Sequence, residues 1–356
     1  MPSNPPRRPS ASLPPPLKWT RPLVFLVVIA LAVAAAFAGA AVVISPVDAR
    51  SADRVVIDVP HGASTSDIAA RLKGAGLIRS RSVFRLMVSL RRADGHLRAG
   101  EYQFGPNMPM AEILARIIRG QVVTYPFTIP EGYTVAQIAG LLVRKGFADP
   151  ARLDAILKDA TVPFAYAVKN KVIKQPYEGY FFPDTYQYYK GMTEDVLVAA
   201  MLHRFEANFG PDLQARAAEL KMTVPEVVTL ASIIEREARV TEERPLISAV
   251  YHNRLKLGMK LDADPTVRYA LDRPGDIVTF KDLEVNSPYN TYKNAGLPPG
   301  PIASPGLASL KAALYPADAP YLYFVAKNDG TGAHEFSRTL AEHLRAIQKY
   351  SKPVGH

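Results

Sequence analysis

The chain has 356 residues, 48% hydrophobic and 21% charged, which excludes a wholly disordered protein and allows two or three domains. Its net charge of +10 does not point to a nucleic-acid partner: Arg7, Arg8, Lys18 and Arg21 lie in an acid-free tail, and beyond it the longest basic run is Arg91-Arg92. There is no cysteine, so disulfides and thiolate sites are excluded.

Residues 1–22, rich in Pro, Ser and basic side chains, read as a disordered tail. Residues 23–44 carry no charge and are long enough to cross a bilayer as one helix, which Ser45-Pro46 ends. Positive charge precedes this segment, while the far side opens with the mixed Asp48, Arg50, Asp53 and Arg54. The expected topology is therefore single-pass, with the N-terminus cytoplasmic and the body exported. A cleaved signal peptide, with Ala36-Phe37-Ala38 as the processing site, is the alternative, and it also exports the body.

Residues 45–54 form a linker. A short β-run follows at 55–59, and then two stretches match at an offset of seventy residues. The matched positions are Pro60/Pro130, Gly62/Gly132, Ser64/Thr134, Ile68/Ile138, Ala69/Ala139, Leu72/Leu142 and Gly76/Gly146. Each copy reads as a strand, a tight glycine turn, a Ser or Thr N-cap, a short amphipathic helix and a glycine stop. Between the copies the sequence predicts a helix at 83–90, a turn at Gly100-Glu101-Tyr102, a helix at 110–118 and a strand at 122–129. Residues 55–125 resemble the LysM-like modules that bind N-acetylglucosamine-containing wall chains; the other reading is an α/β packing unit with no ligand. Residues 126–175 form the second repeat or connecting subdomain, helical over 151–174.

The last domain is placed at 176–350, ahead of a short tail at 351–356. It opens with an aromatic block from Glu178 to Tyr186, followed by Tyr188 and Tyr189, rings that suit either a sugar face or a core. Its organising element is a helix over 224–240, signalled by Thr223 as N-cap, Pro225 in the first turn and Glu226 completing a capping box. At 100° per residue Val224, Val227, Val228, Ala231, Ile234 and Ala238 form one apolar stripe, and Glu235 falls inside it, about 40° from Ala231. Burying an unpaired carboxylate favours its protonated form, which a general acid requires. A structural Glu neutralised by Arg239, Arg244 or Arg254 has the same pattern.

A second helix is expected over 243–257, then a Pro/Gly-rich ordered loop, a short helix at 307–313 and a hairpin of 321–326 with 334–337. Several motifs recur through this half, in order: Ala231-Ser232-Ile233-Ile234-Glu235-Arg236-Glu237, Asn253-Arg254-Leu255, Asp264-Pro265-Thr266-Val267, Tyr289-Asn290-Thr291-Tyr292 and Gly296-Leu297-Pro298-Pro299-Gly300-Pro301-Ile302. Together with the aromatic block and the membrane helix, they resemble the endolytic murein transglycosylases, the YceG-like family, over residues 20–350. The resemblance implies an α+β fold: one transmembrane helix, a LysM-like module and a mixed α+β catalytic domain.

It also implies a lytic transglycosylase acting within nascent peptidoglycan strands. Glu235 would protonate the bond between N-acetylmuramic acid and N-acetylglucosamine, then accept the proton of the muramyl 6-hydroxyl as it attacks C1, leaving 1,6-anhydro ends. Glu178, Asn253, Asp264, Tyr289, Asn290 and Tyr292 are the candidate substrate contacts, with Asn290 a candidate stabiliser of the oxocarbenium-like charge. No metal or cofactor is expected; the seven histidines show no ligand spacing. The implied partners are glycan strands, the membrane and peptidoglycan synthases, with strand termination as the role. The implied location is the inner (plasma) membrane, with the body periplasmic or extracytoplasmic. Two alternatives stay open: a hydrolase with Asp262 or Asp264 as second carboxylate, and a non-catalytic wall-binding scaffold.

Overall fold

The computed structural model describes residues 21–167, 172–273 and 277–350. They divide into two compact units, one ending at Val123 and one beginning at Thr124. The first opens with α1 (Arg21–Ile44), an apolar helix long enough to cross a membrane, with none of its apolar stretch buried against the protein.

Strand β1 (Val55–Val59) then leads into α2 (Thr65–Gly74), α3 (Arg81–Leu90), β2 (Gly100–Phe104) and α4 (Met110–Arg119). The two strands pair antiparallel, with Ile57 opposite Tyr102 and Val59 opposite Gly100. Gly100-Glu101-Tyr102, expected as a turn, is thus the start of a strand. Its alternation explains this: Tyr102 and Phe104 point inward, fully buried with stacked rings, while Gln103 faces out. Ile68, Leu72, Phe84, Val88, Ile113 and Ile117 from the three helices complete this core.

In the second unit β3 (Tyr125–Thr128) precedes α5 (Val135–Arg144) and α6 (Pro150–Asp159), then pairs antiparallel with β4 (Thr185–Tyr188). The helix expected over 151–174 stops at Asp159, because Ala160 turns left-handed and Pro163 follows; residues 168–171 lie outside the described residues. The aromatic block is mostly core. Tyr177, Tyr180, Phe181 and Phe182 are buried, and Tyr186 stacks on Phe127 across the β3–β4 pair.

Helices α7 (Glu194–Asn208) and α8 (Pro211–Glu219) lead to α9 (Val224–Glu237), α10 (Arg244–Lys256), α11 (Asp264–Ala270) and α12 (Leu307–Leu314). The hairpin β5 (Tyr323–Ala326) with β6 (His334–Ser337) and the helix α13 (Leu340–Tyr350) close the unit.

The capping box of α9 forms as expected: Thr223 accepts the Glu226 N–H, and the Glu226 carboxylate accepts the Thr223 N–H at 2.8 Å. The one-sided stripe does not hold, because every residue from Val227 to Ile234 is buried. A helix enclosed on all sides is the centre of its domain, and each of its large aliphatic side chains contributes about 1.5–3 kcal/mol by burial. Its two hydroxyls are satisfied inside the helix, Thr229 donating to the Pro225 carbonyl and Ser232 to that of Thr229. The helix ends three residues before the expected 240, where Ala238 becomes extended. A 3-10 turn, Thr241–Glu243, then re-aims the chain into α10.

Candidate active site

Glu235 sits in the last turn of α9 with its side chain only 6% exposed. It is not unpaired. Arg244, at the start of α10, donates from Nη2 to its Oε1 at 3.2 Å, and the Gly306 N–H donates to its Oε2 at 3.0 Å. Of the three arginines considered as neutralising partners, Arg244 is the one in contact. Its guanidinium is aimed by a second bond, from Nε to the Ser309 hydroxyl on α12 at 2.9 Å. Both oxygens of Glu235 are therefore held, one by a cation and one by the backbone ahead of α12.

The loop before α12 is fixed across α9. Ile302 N–H donates to Ser232 Oγ at 3.1 Å, while the Gly132 N–H bonds the Ser304 carbonyl and the Ser304 N–H bonds that of Tyr133, each at 2.8 Å. The second repeat turn thus lies against the loop that holds Glu235. On that turn is Glu131, an acid that the sequence reading passed over. Its Oε2 lies 3.9 Å from Arg244 Nη2, the nitrogen that also serves Glu235. Burial raises the Glu131 pKa, the Glu235 charge raises it further, and Arg244 opposes both. Gly306 makes this approach possible, since a Cβ there would lie 1.8 Å from Glu131 Oε1. One signal could have found Glu131: the offset-seventy match sets it opposite His61, at the turn position where the two copies carry different charge.

A second acidic group lies two residues along α9. Half-buried Glu237 accepts from the Tyr251 hydroxyl at 3.2 Å; loss of solvation, then the Asp264 charge, push its pKa up to about 7. Asp264, expected on a loop, begins α11 and accepts from the Tyr292 hydroxyl at 2.7 Å. These four residues, with Asp262, Arg268 and Tyr323, line a cavity of about 540 Å³. Glu235 is not among its lining residues. Asp262 pairs with Arg254 at 2.8 Å. The carboxylate placed beside Glu235 is therefore Glu131, rather than either aspartate considered from sequence.

The other candidate contacts are committed inside the fold. Glu178 is buried; its Oε1 accepts the Val135 N–H at the start of α5, its Oε2 accepts the Tyr269 hydroxyl, and burial pushes its pKa up to about 7. Asn290 is fully buried, its amide donating to the Leu283 and Val285 carbonyls and its Oδ1 accepting the Tyr292 N–H. Its Oδ1, the end that could face a cationic sugar ring, is thus already engaged by the backbone. Asn253 ties the Ala319 and Tyr321 carbonyls to α10. Buried Tyr289 packs its ring 5.0 Å from that of Tyr269. Asp264 and Tyr292 are thus brought together, while Glu178, Asn253, Tyr289 and Asn290 brace the walls.

The YceG-like family matches residues 57–349, and the chain belongs to it. It is 37% identical over 320 residues to an endolytic murein transglycosylase of Bacillus subtilis (strain 168), covering 86% of this chain and 88% of that protein. A pneumococcal endolytic murein transglycosylase (Streptococcus pneumoniae serotype 2) is 30% identical over 90% of this chain and 65% of its own length. Among solved structures, a yceG-like protein from Listeria monocytogenes superposes with a TM-score of 0.58 at 38% identity, covering 83% of this chain and 99% of that one.

Proposed function

We propose that this chain is a membrane-anchored endolytic lytic transglycosylase. It cuts the MurNAc-β-1,4-GlcNAc bond inside nascent peptidoglycan strands and leaves 1,6-anhydromuramyl ends. One observation carries the reading: Glu235 is enclosed at the end of the central helix and oriented by Arg244 and the Gly306 N–H, in a family whose curated relatives bear that activity in their names.

Glu235 acts first as acid. Its proton goes to the glycosidic oxygen as the C1–O bond breaks, and its carboxylate then takes the proton of the 6-hydroxyl as O6 bonds to C1. No water is consumed. Arg244 and Gly306 suit the second half of this cycle, because both donate to the carboxylate form. Asp264 and Tyr292, beside the 540 Å³ cavity, are the side chains we assign to substrate contact.

Helix α1 holds the enzyme in the inner membrane with its N-terminus cytoplasmic, and the LysM-like unit, residues 55–125, binds glycan close to where strands are made. Cutting there ends strand elongation. Recovery of peptidoglycan synthases with the anchored protein tests the partnership, and a pull-down free of them rejects it.

The decisive experiment is the mass of ends released from purified peptidoglycan by the full chain in detergent, wild type beside Glu235→Gln. Ends lighter by one water, absent with the variant, are expected. Ends at full mass make the enzyme a hydrolase. Wall binding without cleavage by either protein leaves the scaffold reading.

A further inference from the structure

Glycoside cleavage builds positive charge at the anomeric carbon, and enzymes commonly set a carboxylate against it. Glu235 serves as the acid, Asn290 is uncharged with its Oδ1 already accepting the Tyr292 N–H, and Asp264 belongs to a cavity that Glu235 does not line. We propose that Glu131 fills this role, as a second carboxylate that faces the reacting muramyl ring and opposes the charge forming at C1. The proposal rests on Glu235 being the acid of the same reaction.

Three features of its placement carry this. First, Glu131 shares a guanidinium with Glu235: Arg244 Nη2 lies 3.2 Å from one carboxylate and 3.9 Å from the other. The two acids therefore work on one site, and only the Glu235 contact is a hydrogen bond, which leaves the Glu131 charge less neutralised. Second, the pair is spaced by one residue. Gly306 gives its N–H to Glu235 and its bare Cα to Glu131. Its φ of −75° suits any amino acid, so a glycine is there for room. The turn carrying Glu131 is itself pinned by the two backbone bonds to Ser304 and by Arg236 Nη1 donating to the Gly132 carbonyl at 3.2 Å. Third, the exposures differ. The Glu131 side chain is 51% exposed against 6% for Glu235, which puts Glu131 on the side from which a sugar arrives.

The bond changes remain those of a transglycosylase. Glu235 gives its proton to the glycosidic oxygen, which leaves with the C1–O electron pair while the ring oxygen shares its lone pair with C1. Glu131 makes no bond and stays a carboxylate throughout. The 6-hydroxyl oxygen then bonds to C1, and its proton returns to Glu235.

The test uses the full chain in detergent with glycan strands, comparing wild type, Glu131→Gln and Glu235→Gln. Glu131→Gln is expected to lower kcat about 100-fold, with KM changing less than about threefold and released ends still lighter by one water. Turnover within about twofold of wild type, or a rise in KM with kcat unchanged, overturns the proposal. A second readout separates charge from shape. A cationic iminosugar analogue of the muramyl ring should lose about tenfold or more in affinity in Glu131→Gln, while a neutral glycan of equal length loses little. Equal losses overturn it. Should Glu131→Gln lower the thermal midpoint, Glu131→Asp keeps the charge and must keep the preference for the cation; loss of that preference is fatal. Activity surviving in Glu235→Gln would instead refute the acid assignment, and is read separately.

Discussion

The two copies of the internal repeat are nearly the same object locally and different objects in context. Both form a tight turn with the glycine left-handed, Gly62 at φ 76° and Gly132 at φ 74°, and both end at a second left-handed glycine, Gly76 or Gly146. Both open their helix with a complete capping box, Ser64 with Asp67 and Thr134 with Gln137. In the first copy a Cβ on Gly62 would meet nothing within 4 Å among the described residues, and His61 beside it is exposed. In the second, Gly132 lies against Arg236 and Glu235, and Glu131 takes the place of His61. Local chemistry sets the shape of the unit. What it does depends on the side chain at its tip and on the surface that tip meets.

Erasing that difference at one position should have the largest effect. Gly306→Ala would drive its new Cβ into the Glu131 carboxylate, the movable end of a long side chain. Stability should therefore change by less than about 1 kcal/mol, while kcat falls about 100-fold, as for Glu131→Gln. Because both changes displace the same group, the double variant should be little worse than either alone. Fully additive losses in steady-state assays would mean that the two residues act separately.

A second difference is that only the later copy rests on a buried acid, Glu178, which accepts the Val135 N–H at the start of α5. Its folded pKa, about 7, lies above the ordinary 4.5 because of burial, and Glu237 is raised to about 7 in the same unit. A raised acid means that the folded state holds more protons than the unfolded chain across this window. The stabilising contribution of these two groups should accordingly be fully present below about pH 4.5 and be lost as pH rises toward 7, by on the order of 2 kcal/mol per group. Glu178→Gln retains the acceptor for Val135 and should flatten roughly half of that slope in thermal melts. An unchanged slope would exclude Glu178 as its source.

The contrast between copies also marks what a sequence discloses. Caps, the repeat's turn glycines, the apolar span and the start of the central helix are short-range patterns, and they are legible from neighbouring residues alone, whereas Gly100 opens a strand and the central helix stops at Glu237. The motif around Glu235 is local too, which is why the acid stood out. Its partners are not local. Arg244 is nine positions away, but Gly306 and Glu131 reach the site only through folding, from the loop before α12 and the turn before α5. Burial misled in a similar way. Tyr289 and Asn290 sit in a motif that resembles a binding loop, yet their side chains hold that loop together from inside. Glu178 looked like a sugar contact because nothing in its neighbourhood names Val135 and Tyr269 as its partners.

The finest test of the comparison is a matched pair, Gly62→Ala and Gly132→Ala. Each alanine must adopt a left-handed conformation, which costs about 1–2 kcal/mol wherever it occurs. Neither meets a prohibitive contact, since a Cβ on Gly132 would come no closer than 3.4 Å to Arg236. The stability losses measured by thermal unfolding of the unit concerned should therefore be similar. Turnover should part them. Gly132 supplies the carbonyl that receives Arg236 and the N–H that holds Ser304, so a strained turn there shifts Glu131 and lowers kcat several-fold. The same strain at Gly62 should leave kcat unchanged. Equal turnover in the two variants would show that the second turn takes no part in the chemical step, and that the position of Glu131 does not matter to the reaction.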